Sequence, residues 1–98
     1  MQTVIRSVSE LGLVIRAVRR ASKVRLDDLA ATAGVSKQFA SDVEYGKSTV
    51  QLGLVLKLLS ELGLPLSLDI SRDAEAELAA QRIKGARPHK RRKTKVTG

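Results

Sequence analysis

Leu26-Asp27-Asp28-Leu29-Ala30-Ala31-Thr32-Ala33-Gly34-Val35-Ser36-Lys37-Gln38-Phe39-Ala40-Ser41-Asp42-Val43-Glu44-Tyr45-Gly46 is the stretch that decides the fold. Asp27 and Asp28 stand where the positive end of a helix dipole favours acids, and Gly34 permits the left-handed backbone that ends a helix. Ser36 is a good N-cap for a further helix, which stops before Gly46. Two short helices joined by a turn at Gly34 have the geometry that sets one helix in the major groove of DNA.

The residue types inside this unit follow from that geometry. Ala30 lies where the second helix crosses the third most closely, so a small side chain is required there. Leu29, Ala33, Val35, Ala40 and Val43 are apolar where the helices face each other and the helix before them. At about 100° per residue, Ala40 and Val43 point inward while Gln38, Ser41, Asp42 and Tyr45 point outward. Lys37, in the first turn, projects from the exposed end. The outward set is polar, short or amide-bearing, which is what base-edge readout requires.

On the N-terminal side, Ser7-Val8-Ser9-Glu10 fits a capping box that opens a first helix running to about Ser22. Leu11, Val14, Ile15 and Val18 give that helix one buried stripe. On the C-terminal side, a fourth helix opens at Thr49 or Val50 and carries Leu52, Val55, Leu56, Leu59 and Leu62 to a stop at Gly63. The period then changes. Leu64, Leu66, Leu68 and Ile70 alternate with Pro65, Ser67 and Asp69, the pattern of a half-buried strand. A strand cannot satisfy its own backbone, and Thr3 to Arg6 is the only other short β-like stretch. The expected partner is the same strand of a second copy across a two-fold axis; the alternative is an arm that covers the fourth helix. Asp73 to Ile83 is Ala/Glu-rich and marginally helical, and Lys84 to Gly98 has nothing to bury.

The pattern Leu29-Ala30, Gly34-Val35-Ser36 and Val43-Glu44-Tyr45-Gly46 resembles the lambda-repressor-like, Cro/Xre class of helix-turn-helix proteins over roughly Val8 to Leu64. Within that class, Ile5-Arg6-Ser7-Val8-Ser9-Glu10-Leu11 before the first helix and the strand Leu64 to Ile70 after the last are similar to the HipB antitoxins. The resemblance implies an all-α domain of four to five helices with a C-terminal strand pairing across a homodimer. It implies a repressor that binds a pseudo-palindromic operator and also a HipA-type serine/threonine kinase toxin. By the same resemblance Ser36, Lys37, Gln38, Ser41 and Asp42 meet the major groove. Gln38 is suited to adenine, Lys37 to guanine or a phosphate, and Asp42 to a cytosine amine or to solvent alone. Phe39, on the helix flank, is read as packing. Arg25, Tyr45, Lys47 and Ser48 surround the helix ends as phosphate contacts, which fix register without reading sequence. Arg25-Leu26 departs from the Ser/Thr-Gln that usually opens the second helix, so charge replaces the usual clamp there. Arg19 and Glu44 match an internal ion pair of some relatives, with a structural role.

Composition narrows the function further. Phe39 and Tyr45 are the only aromatic residues, so the core is aliphatic and suits helices. The chain has no cysteine, which excludes thiol chemistry, and its one histidine, His89, could supply at most one ligand, so no metal site is expected. With no phosphate-cradling Gly-rich loop either, an enzyme is not expected, nor a cofactor. No stretch is long enough to span a bilayer, and a soluble, cytoplasmic, nucleoid-associated protein is expected. The net charge of +8 is unevenly placed: residues 1–81 hold ten Lys/Arg and ten Asp/Glu, and the eight bases from Arg82 onward face no acid. Residues 1–71 are therefore read as the DNA-binding and dimerisation domain and 72–98 as a basic, disordered tail. Arg87 to Lys95 either lies along DNA phosphates or binds solvent or an acidic partner.

Overall fold

The computed structural model describes residues 1–85, and the basic run Arg87 to Lys95 lies outside them. The chain divides into two units, Met1–Leu66 and the part from Ser67 onward. The first unit holds α1 (Val8–Ala21), α2 (Leu26–Ala33), α3 (Lys37–Glu44) and α4 (Leu52–Glu61); the second holds α5 (Arg72–Gly85).

Caps account for most of these boundaries. The Ser7 hydroxyl accepts from the Glu10 amide at 3.1 Å, while the Glu10 carboxylate accepts from the amide of Arg6, one residue before the position a regular capping box uses. Ser36 Oγ accepts from the Phe39 amide at 3.0 Å and starts α3. At the other ends, one device is used four times. Val24 N–H donates to Arg19 C=O, Val35 to Ala30, Lys47 to Asp42 and Leu64 to Leu59, each at 2.9–3.1 Å, so each helix closes on a left-handed residue. That residue is Gly34, Gly46 or Gly63 for α2, α3 and α4, but Lys23 at φ 60° for α1.

The core of the first unit is Ile15 of α1, Leu29, Ala30 and Ala33 of α2, Ala40 and Val43 of α3, and Val55, Leu58 and Leu59 of α4. α3 packs on both α1 and α2, and α2 packs on α4. The tightest approach is at Gly12 of α1. A Cβ built there would lie 2.3 Å from the carbonyl oxygen of Val43 and 2.7 Å from that of Glu44. The α1–α3 crossing thus depends on a glycine in α1, while Ala30 of α2, expected at the crossing with α3, is 2% exposed. Gly12 carries no signal in a pattern of apolar residues, because an absent side chain leaves the period unchanged.

The structure departs from the sequence reading in three places. α4 starts at Leu52 with Gln51 as its N-cap, so Thr49 and Val50 belong to the connection. Leu64 to Ile70, expected as a strand, forms none among the described residues, and neither does Thr3 to Arg6. None of the amides of residues 66–70 donates to another main-chain group among the described residues. The alternation there is real as a pattern, but a strand exists only with a ladder partner. In the second unit, the Ala/Glu-rich stretch Asp73 to Ile83 lies inside α5, so residues 72–85 of the segment read as a tail are helical. Ser71 caps this helix by accepting from the Ala74 amide, and it buries no residue.

Candidate nucleic-acid interface

α2, the turn at Gly34 and α3 form the helix-turn-helix, and the burial of Ala40 and Val43, 0% and 1% exposed, fixes which side of α3 faces outward. Lys37 and Gln38 are exposed, and Ser41 and Asp42 are half-buried on the same outward side. Phe39 is half-buried and packed against the core, which leaves it to the interior as the sequence suggested.

The outward side chains are linked. Gln38 Nε2 donates to Asp42 Oδ1 at 2.8 Å, and Lys47 Nζ lies 3.6 Å from Asp42 Oδ2. Lys47 is brought there by the tight closure of α3 on Gly46, whose φ is 81°. Ser36 spends an oxygen lone pair on capping α3 and keeps its hydroxyl hydrogen for an external acceptor. Lys37 makes no ion pair among the described residues.

Tyr45 is 72% exposed at the end of α3, and the Arg16 guanidinium of α1 sits 5.1 Å from its ring centroid. Arg16 was not among the residues singled out from sequence. Arg16 is half-buried and lies seven residues after Ser9 on the same side of α1, the side that meets the Gly46 turn, where a Cβ on Gly46 would lie 2.7 Å from Ser9 Oγ; that approach is tertiary and leaves no signal in the sequence. Ser48 is exposed beyond the same turn. At the other end, Arg25 is the N-cap of α2 without a side-chain cap. Its guanidinium is held by Asp27 through two bonds of 3.1 and 3.2 Å. That hydrogen bond raises the Arg25 pKa above its ordinary value and lowers that of Asp27.

Arg19 and Glu44 meet as expected. Arg19 Nε and Nη2 donate to the two Glu44 oxygens at 2.6 and 3.0 Å, and Nη1 donates to Val24 C=O at 2.9 Å. The side chains are 11% and 3% exposed. The hydrogen bond to Glu44, opposed by burial, raises the Arg19 pKa. This pair joins α1, the α1–α2 turn and the end of α3, and so fixes the recognition helix against its support.

Comparison with known proteins places this geometry. The Helix-turn-helix family matches residues 15–68. The chain belongs to the Cro/Xre-type helix-turn-helix family. It is 41% identical over 71 residues to the HTH-type transcriptional regulator y4mF of Sinorhizobium fredii, covering 72% of this chain and 91% of that protein. Among solved structures, it is similar to a HipA–HipB–O2–O3 complex at a TM-score of 0.67, with 22% identity over 72% of this chain and all of the other. A HipB–O4 20mer complex gives a TM-score of 0.66 with the same identity and coverage. Those likenesses to HipB show the shared fold. Membership of the family makes the chain a DNA-binding helix-turn-helix protein and not an enzyme. No helix among the described residues is long and apolar enough to cross a membrane.

Proposed function

We propose that the protein is a sequence-specific, homodimeric transcriptional repressor that serves as the antitoxin of a HipA-type serine/threonine kinase and represses its own operon. The observation that carries the DNA-reading part is the outward polar row of α3, with Lys37 and Gln38 exposed and Ser41 and Asp42 half-buried, on a helix whose opposite side is locked into the core. On this reading Ser36, Lys37, Gln38, Ser41 and Asp42 face base edges. Arg25, Tyr45, Lys47 and Ser48 contact phosphates. The protein works in the cytoplasm, at the nucleoid, and uses no cofactor or metal.

Dimerisation is supported by Leu64 to Ile70. Leu66, Leu68 and Ile70 are 59%, 80% and 49% exposed on a segment whose amides lack main-chain partners among the described residues. Pairing with the same segment of a second copy would cover the leucines and satisfy the backbone together. Two copies would then read half-sites about 34–36 Å apart. The kinase partnership draws on the likeness to HipB, which is found in complex with HipA. A second reading, a transcriptional regulator without a toxin, is equally consistent with the family match and with the 41% identity to y4mF, an uncharacterized HTH-type transcriptional regulator.

A gel shift with the DNA upstream of the reading frame tests the first claim. Binding with no preference over random duplex at physiological salt refutes it, and Lys37→Ala with Gln38→Ala should remove that preference. Sedimentation of Leu68→Lys against the native chain tests the dimer, which should dissociate at lower dilution in the variant. Co-expression with the neighbouring reading frame separates the two readings. An antitoxin co-purifies with a kinase and neutralises it, even as the double variant, whereas a stand-alone regulator does neither.

A further inference from the structure

Asp42 is an awkward residue for a DNA-facing surface, because an unpaired carboxylate beside phosphates is repelled. Here it is not unpaired. One oxygen accepts from Gln38 Nε2 at 2.8 Å, one turn earlier on α3, and the other lies 3.6 Å from Lys47 Nζ, contributed from beyond the Gly46 turn. Lys47 offsets the charge, and Asp42 fixes the amide.

The donor and acceptor count of Gln38 then decides which base it fits. A free glutamine amide has two N–H donors and one carbonyl acceptor, so it can give both donors to the N7 and O6 acceptors of guanine or pair one donor and the acceptor with adenine N7 and N6. With one Nε2 hydrogen committed to Asp42, one donor and Oε1 are left. That set is complementary to adenine and leaves one of guanine's two acceptors unpaired. We propose that Asp42 is a specificity-determining positioning residue: held by Lys47, it restricts Gln38 to adenine over guanine instead of contacting a cytosine itself. This rests on the reading above that α3 enters the major groove.

The test uses the full-length chain as wild type, Asp42→Ala, Asp42→Asn and Gln38→Ala, with circular dichroism to establish equal helicity. Each protein selects its sites from a random duplex pool. The position relaxed by Gln38→Ala is then tested in competition gel shifts with A·T replaced by G·C. Wild type should prefer adenine there by about tenfold or more, the scale of one bidentate pair. Asp42→Ala should bring that ratio toward unity while other positions keep their preferences. Asp42→Asn should restore it, since its Oδ1 still accepts from Gln38. Asp42→Ala also removes the carboxylate that offsets Lys47 beside its phosphate, so its affinity for random duplex should rise. The proposal is overturned if Asp42→Ala keeps the wild-type ratio, or if Asp42→Asn loses as much as Asp42→Ala. If Gln38→Ala relaxes no position, the base-reading role of Gln38 itself falls, a result distinct from an intact ratio in Asp42→Ala beside a relaxed position in Gln38→Ala.

Discussion

Gly12→Ala sets two opposing effects against each other, and the structure decides the sign. In a helix interior Ala is favoured over Gly by about 0.5–1 kcal/mol, so propensity alone predicts a gain. Yet the new methyl would lie 2.3 Å from Val43 O and 2.7 Å from Glu44 O. Both neighbours are backbone. Val43 C=O also accepts from Gly46 N–H at 3.1 Å, in the closure of α3, so it cannot withdraw freely. Overpacking of a tight site costs typically about 1–3 kcal/mol, and a contact this short belongs at the upper end, which leaves a net loss of about 2 kcal/mol after the propensity gain. For a domain of this size that lowers the Tm by about 8–16 °C. Gly53→Ala is the control, because nothing lies within 4 Å of its Cβ position and it should be neutral or slightly stabilising. Thermal and urea unfolding of both variants, followed by circular dichroism, measures the difference. A Gly12→Ala variant as stable as wild type would refute the claim that the α1–α3 crossing is limited by backbone contact.

Lys23→Gly should stabilise by about 1 kcal/mol, because Lys23 holds the left-handed position (φ 60°) that glycine fills at the ends of α2, α3 and α4; urea unfolding should show a higher midpoint at unchanged slope. Glu44→Ala should cost about 3–5 kcal/mol by stranding the Arg19 guanidinium, 11% exposed, and the double variant Arg19→Met with Glu44→Leu should recover much of that loss. Ser36→Ala removes the cap on Phe39 N–H and should cost about 1 kcal/mol, with weaker operator binding as the first turn of α3 frays. Asp27, whose pKa is lowered by Arg25, adds a stabilising increment that is present above the ordinary aspartate pKa and lost as pH falls through its lowered value. Asp27→Asn should therefore flatten the acid side of the stability curve, a small effect between exposed groups that unfolding from pH 7 down to pH 2 would detect.

Much of this protein could be read without coordinates because its signals are local. Ser7, Gly34, Ser36, Gly46 and Gly63 act on their own turns, and the 3.6-residue stripe selects Ile15, Leu29, Ala40, Val43, Val55 and Leu59 for the interior. The outward row of α3 follows from the same period, which is why the candidate interface was legible along with the fold. The start of α4 was less so, since neither Thr49 nor Gln51 makes a side-chain cap that would single it out.

What the sequence by itself determined, then, is the order of the helices, the sides that α1, α2 and α3 bury and the family the chain belongs to, while on α4 the buried side includes Leu58 and leaves Leu52 and Leu56 exposed. Tertiary structure alone decided the rest. It made Gly12 a contact between helices, put Arg16 over Tyr45, tied Arg25 to Asp27 and joined Gln38, Asp42 and Lys47 into one unit. It also showed that the alternation from Leu64 to Ile70 is not yet a strand. Helical period and caps are set within a few residues of backbone. Close crossings, side-chain pairings and β-ladders depend on groups that only the folded chain, or a second chain, brings into reach.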